Sequence, residues 1–452
     1  MSSSGPSSGG LFSGLFVPDR FREATSDAAW LAAMLEVEAA LAAAEAEAGI
    51  VPPQAAEAIA AACDPGAFDP AALGHEARAS GNPVVPLVAA LRDKLPPEAA
   101  GFVHLGATSQ DVLDSAAMLV ALRSRQLIDA EMRGIAAACA GLAEEHRGTL
   151  MSGRTLLQQA LPITFGLKAA GWLSAILDAR ERLASVPLAV QLGGAAGTQA
   201  ALGADGIRVL GLLAAKLGLV EPAIPWHTAR MRVADLGAAL ALAAGAMEKI
   251  ALDLALLAQT ELGEIAESAD GARGGSSTLP QKRNPVGSVL AIASARRVRG
   301  AAGVLLAAMA QEHERAAGAW HSEWETLSEA LEQTGGAAVS VRGALEGLVV
   351  NAQRMRENLD AGGGLVMAES VVTALAAEID RVEAKRLVEA AAVSAIDAGT
   401  PLREQLIDDS AVSAALSAEE LDRALDPAGY LGSADAFVDR SLARYRESGG
   451  ER

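Results

Sequence analysis

Aromatic residues make up only 3% of a chain that is 51% hydrophobic, so its core has to be built largely from Ala, Leu and Val. Alanine-rich sequence with few β-branched runs favours closely packed helices. Two cysteines, Cys63 and Cys139, are too few for a disulfide framework; they suggest a reducing compartment, the cytoplasm, and read as small buried hydrophobes. The six histidines are scattered, and no HExxH, CxxC or clustered His/Cys/Asp set with metal spacing occurs, so neither metal nor cofactor is expected. Apolar runs such as residues 236–247 are cut by charge well short of the ~18 residues that a membrane span needs. Positive charge is also short. With 37 Lys and Arg against 56 Asp and Glu, the net charge of −19 argues against nucleic acid as a partner. Any anionic substrate must therefore be held by a local cationic pocket, against the sign of the whole molecule. Residues 1–10, rich in Ser and Gly, lack the basic segment of a signal peptide and read as a floppy tail.

What the chain does contain is helical periodicity interrupted by short polar segments. From 21 to 49 the pattern puts Trp30, Met34, Val37 and Leu41 on one helical face, and Pro52-Pro53 ends it. Residues 64–97, dense in Pro and Gly, read as short helices. Thr108, followed three residues on by Asp111, resembles a capping box that opens a long helix from Ser109 to about 147. The start of such a helix offers unpaired N–H groups and a positive dipole end, suited to a carboxylate. A second polar interruption, 153–162, precedes a helix to about 186. A third, Gln191-Leu192-Gly193-Gly194-Ala195-Ala196-Gly197-Thr198, lacks the GxGxxG spacing and preceding strand of a nucleotide fingerprint. It reads as close backbone packing or approach to a ligand. Long helices are expected over about 232–269, 286–311 and 321–350, with shorter ones at 365–375 and 382–398. The expected architecture is all-α with three helical domains: 1–107, a central long-helix bundle over 108–350, and 351–452. Long Ala and Leu stripes exceed what a lone bundle can bury, which predicts oligomerisation.

The richest chemistry lies in Gly274-Gly275-Ser276-Ser277-Thr278-Leu279-Pro280-Gln281-Lys282-Arg283-Asn284-Pro285. Glycines before it and prolines within it forbid regular structure, so it reads as a loop able to open and close. Its hydroxyls, Lys, Arg and Asn suit an active-site lid carrying a proton-transfer group and a carboxylate clamp.

This loop resembles the signature loop of the fumarase/aspartase superfamily. His104-Leu105-Gly106-Ala107-Thr108-Ser109-Gln110-Asp111 and Gly153-Arg154-Thr155 resemble its first two conserved regions, and the likeness runs on to Asp426-Pro427 and Tyr430-Leu431-Gly432. The resemblance implies an all-α homotetramer with a central twenty-helix core and active sites shared between subunits. It implies that Ser276 exchanges a proton with the carbon α to a carboxylate, supported by Lys282. It places substrate contacts at Thr108, Ser109, Asn284, Thr155 and Gln158, on a small tricarboxylate. Arg20, Arg230 and His104 are further candidate contacts, each equally readable as a structural ion-pair or cap residue.

Two departures define the expected reaction. Superfamily lyases usually place a His directly after the Gly-Arg-Thr, and here that position is Leu156. The Glu that usually orients this His is Val289 here, so both halves of the relay are gone together. Loss of a general acid normally costs ~10²–10⁴ in rate. A reaction whose migrating group is already ionised does not need one. Intramolecular addition of a carboxylate to a double bond, a lactonisation, is such a reaction. Expulsion of an amine or hydroxide is not. An adenylosuccinate or argininosuccinate lyase is the alternative within the superfamily; against it, the segment where purine lyases carry His-Asp-Val reads Ser80-Gly81-Asn82-Pro83. A catalytically silent scaffold is the alternative outside enzymes.

Overall fold

The computed structural model describes residues 11–268, 274–275, 278–279 and 281–450. The tail expected over 1–10 and the expected proton-transfer residue, Ser276, lie outside the described residues. Helices dominate, and the chain divides into two compact units, Met1–Met132 with Asp178–Glu248 and Leu290–Ser340, and Arg133–Leu177 with Lys249–Val289 and Val341–Arg452. All five unit boundaries fall inside long helices rather than in linkers.

In the first unit, the expected helix over 21–49 is two helices, Asp19–Ala24 and Asp27–Ala48. The break has a local cause: the Ser26 side chain accepts the Ala29 N–H at 3.2 Å and so starts a new helix. Gly49, left-handed at φ 82°, ends it. Met34, Val37 and Leu41 are buried as the periodicity requires. The Pro/Gly-rich stretch folds into the short helices Pro70–Ser80, Val84–Asp93 and Pro97–Ala100. The helix opened by Ser109 runs to Glu145.

Among the described residues, the second unit holds the one substantial departure from helix. The polar interruption at 153–162 is a hairpin of β1 (Leu150–Thr155) and β2 (Gln158–Thr164). Thr155 pairs with Gln158, leaving Leu156-Leu157 as a two-residue turn, and the register slips between Ser152 and Arg154. Gly153 sits at that slip, where a Cβ would lie 2.9 Å from the Leu161 carbonyl oxygen. A second small ladder pairs β3 (Ile265–Ala266) with β4 (Val349–Val350).

That ladder explains the two helices that end earlier than periodicity suggests. Met231–Leu257 stops short of 269, and Trp324–Glu346 stops short of 350. Gly263 turns the chain at φ 59°, and Glu264 is engaged by Arg154 and Asn358. Tertiary pairing outcompetes helix propensity there. The remaining C-terminal helices, Ala368–Leu375 and Arg381–Ala398 among them, enclose a core of Val371, Leu375, Leu387, Val388, Leu402, Leu406 and Leu421.

Candidate active site

The segment from His104 to Asp111 is organised by one carboxylate. Asp111, 1% exposed, accepts from the Thr108 backbone N–H at 2.9 Å, completing half of the expected capping box. It also accepts from Gly193 N at 2.8 Å and Gly194 N at 2.9 Å, and lies 2.6 Å from His227 Nε2. The glycine-rich loop thus turns its N–H groups on a protein carboxylate. Its glycines are required for the close approach: a Cβ on Gly193 would stand 2.7 Å from the His227 ring, and one on Gly194 2.8 Å from the Gly106 oxygen. Thr108 and Ser109 are half-buried where this frame opens into the helix. His104 lies just before them, with φ 63° and its Nδ1 2.6 Å from Glu38 Oε1.

Arg230 is 2% exposed and lies in a buried network. It donates to Asp114 at 2.7 and 3.0 Å and to Glu323, where Nε reaches Oε1 at 3.0 Å. Trp320 donates to Asp114 at 3.0 Å and Gln311 to Glu323 at 3.0 Å. Burial alone would lower the Arg230 pKa, but the charges and hydrogen bonds of Asp114 and Glu323 outweigh it and raise it. The Glu323 carboxyl is raised, because burial exceeds what Arg230 gives back. Of the two readings of Arg230, the ion pair fits this geometry. Arg20 pairs with Glu131 at 2.8 Å. Glu131 lies 22 residues along the helix from Ser109, about 33 Å at ~1.5 Å per residue, so within one chain Arg20 stands apart from Thr108. Sequence reading missed Asp114 and Glu323; the only signal was acidic residues set in otherwise apolar helical segments.

In the second unit, Arg154 makes a bidentate pair with the fully buried Glu264, at 3.0 and 2.5 Å, and Asn358 donates to the same carboxylate at 2.9 Å. This fixes the base of the hairpin. Thr155 and Gln158 flank its tip and are exposed. Leu156 and Leu157 occupy the turn at φ 50° and 66°, and are 97% and 76% exposed. The base of the signature loop is closed by Glu267, whose carboxylate accepts from Gly287 N and Ser288 N at 2.9 Å each and from the Ser288 hydroxyl at 2.6 Å. This satisfies the start of the helix Val286–Ala307 with a protein anion. Gly274, at φ 78°, accepts from the Asn284 backbone at 2.9 Å and from its side-chain amide at 3.2 Å. Lys282 is exposed beside it, and Val289, the other half of the missing relay, is 54% exposed.

The candidate residues thus divide between the units: Arg20, His104, Thr108, Ser109 and Arg230 in the first, Thr155, Gln158, Lys282 and Asn284 in the second. The first unit also contains a cavity of about 510 Å³ walled by Trp30, Met34 and Trp324. Its carboxylates, Asp27, Glu325, Glu329 and Glu332, outnumber its one Arg297, so its sign is wrong for a polyanion. Among the described residues, no group of three or more His, Cys, Asp or Glu is placed to hold a metal ion. No helix among them is long and apolar enough to cross a membrane.

An all-α frame with these three polar regions defines a class. The lyase family matches residues 17–300 and the adenylosuccinate lyase C-terminus family matches 364–441. The chain belongs to this lyase family, the fumarase/aspartase superfamily. Among its relatives, a 3-carboxy-cis,cis-muconate cycloisomerase of Pseudomonas aeruginosa is 46% identical over 447 residues, covering 98% of this chain and 97% of that protein. A nitrosuccinate lyase of Streptomyces davaonensis is also 46% identical, covering 95% of this chain and 94% of its own. The crystal structure of a 3-carboxy-cis,cis-muconate lactonizing enzyme from Pseudomonas putida superposes with a TM-score of 0.91 at 43% identity, covering 97% of this chain and 99% of that one.

Proposed function

We propose that the protein is a cofactor-independent cycloisomerase that lactonises 3-carboxy-cis,cis-muconate to 4-carboxymuconolactone, a step of protocatechuate breakdown in the cytoplasm. The observation that carries this reading is the apolar hairpin tip. At the position where the superfamily places its acid, Leu156 stands almost fully exposed on a left-handed turn and offers no proton. In lactonisation the adding group is the substrate's own carboxylate, already ionised at neutral pH and held within the same molecule. One further substrate carboxylate rests on Thr108, Ser109 and the helix start, and another against Lys282 and Asn284, with Thr155 and Gln158 beside the tip. As the ring closes, charge builds on the neighbouring carboxylate as an aci-carboxylate. Lys282, Asn284 and loop N–H groups stabilise it, a role in which one donor is typically worth ~10²–10³ in rate. Ser276 then delivers the proton to carbon. Exposed Leu242, Val304 and Leu306 on the long helices support a homotetramer in which sites are shared between subunits, built on domains 1–107, 108–350 and 351–452.

Loss of the muconate ultraviolet absorbance on mixing with enzyme tests the assignment. Ser276→Ala should abolish it with the tetramer intact, and near-normal turnover in that variant would overturn the role given to Ser276. A second reading is favoured by the equal identity to a nitrosuccinate lyase. A nitro group expelled as nitrite is also a stable anion that leaves without an acid. Nitrite release from nitrosuccinate, with no loss of muconate absorbance, would select it.

A further inference from the structure

We propose that Glu38 is a positioning residue for the substrate site, holding His104 by Nδ1 so that the ring, in its protonated form, offers its opposite N–H to a substrate carboxylate at the Thr108–Ser109 turn. This rests on the reading above, in which that turn receives a carboxylate.

The pair has a sealed end and a less deeply buried one. Glu38 is 1% exposed, and its Oε1 lies 2.6 Å from His104 Nδ1, whereas the His104 side chain is 14% exposed. The second Glu38 oxygen, Oε2, is buried without a hydrogen-bond partner, so among the described residues His104 is the carboxylate's one hydrogen-bond partner. Because Nδ1 faces Glu38, Nε2 is on the far side of the ring, away from the sealed end. His104 holds a left-handed backbone at φ 63°, a conformation that carries strain for a non-glycine residue. The preceding residue is held by Arg92, whose guanidinium donates to the Val103 carbonyl at 3.0 Å. Strain maintained from two sides places this side chain four residues before Thr108.

The charges around the ring agree. Burial alone would lower the His104 pKa, but the hydrogen bond and charge of Glu38, aided by Asp111, outweigh both burial and the repulsion of Arg92, and the net shift is upward. Glu45, seven residues along the same helix, is pushed up to about 8 by burial and by Glu38, so it adds no negative charge at neutral pH. Cys63, also near Glu38, is pushed up to about 12 and stays a neutral thiol. The net result favours the charged form of the ring beside the helix start, in a protein of net charge −19.

The test combines an NMR titration of the His104 ring with steady-state kinetics on 3-carboxy-cis,cis-muconate. In the unmodified enzyme, propane-1,2,3-tricarboxylate should raise the His104 pKa by about one unit, a tenfold change in proton affinity. This needs neither turnover nor a variant; no shift would overturn the proposal. In Glu38→Gln the alkaline limb of kcat/KM should move to lower pH. KM should rise about tenfold at pH 8 and less than about twofold at pH 6, with kcat little changed and Glu38→Asp partly restoring it. If Glu38→Gln loses thermal stability while its pH limb and KM match the parent, the pair is a structural tie and the proposal fails. An enzyme that shows the NMR shift yet leaves muconate untouched would overturn the assigned reaction instead, leaving the role of Glu38 intact.

Discussion

Glu45 illustrates how much a single side chain can hold in reserve. It is 0% exposed, and neither carboxylate oxygen has a hydrogen-bond partner. Burial, with the charge of Glu38 behind it, pushes its pKa from 4.5 to about 8. A raised carboxyl means that the folded state retains a proton which the unfolded chain releases. Stability is therefore full below about pH 4.5 and drains away as pH rises toward 8, at about 1.4 kcal/mol per unit. Glu45→Met should stabilise the protein by on the order of 3 kcal/mol at pH 7 and much less at pH 5, read from denaturant unfolding at the two pH values. An equal gain at both would show that the proton is not the cause. The raised His104 has the same sign, its contribution being lost as pH climbs through its folded-state value. Asp111 is the opposite kind of residue, fully employed. Asp111→Ala removes the acceptor of three backbone N–H groups and the partner of His227, and should cost about 3–5 kcal/mol in chemical denaturation.

The hairpin β1–β2 carries the main conflict between local preference and fold. A two-residue hairpin turn favours Asn-Gly, since both positions need positive φ. Leucine at each is disfavoured by roughly 1–2 kcal/mol. Replacing Leu156 with Asn and Leu157 with Gly should therefore stabilise the chain by about 2–4 kcal/mol in thermal unfolding while lowering kcat/KM, because the tip lines the proposed site. Unchanged turnover in the stabilised variant would remove the tip from the chemistry. This element also marks what the sequence made legible. Periodicity and caps gave the long helices, with Ser109 as a start, because those signals are local. The strands of the hairpin were not visible, since Gly153-Arg154-Thr155 has no alternating apolar pattern and draws its support from Glu264, 110 residues away. The motif residues were legible as types. Glu38 and Asp114 were not, because partners 66 and 116 residues distant leave no spacing to read. Arg230 looked equally suited to substrate or ion pair until Asp114 and Glu323 were seen around it.

At the scale of the molecule, apolar side chains left in water call for further burial. Leu242 is 58% exposed, Leu306 49% and Val304 42%, on helices whose other faces are packed. Leu242→Lys with Leu306→Lys should reduce the sedimenting mass from that of the proposed tetramer, about four times 45.9 kDa, toward that of a single chain, and activity should fall with it. A variant that stays tetrameric would place the interface on other surfaces. The carboxylate of Asp111 has a last consequence, for how relatives of this chain are read. Because it ties the helix start, the glycine loop and His227 into one frame, a descendant that had abandoned catalysis would still need it in order to fold. An aspartate at that place is thus a badge of ancestry. The residue at the hairpin tip, which the frame does not depend on, is where a change of trade would be written.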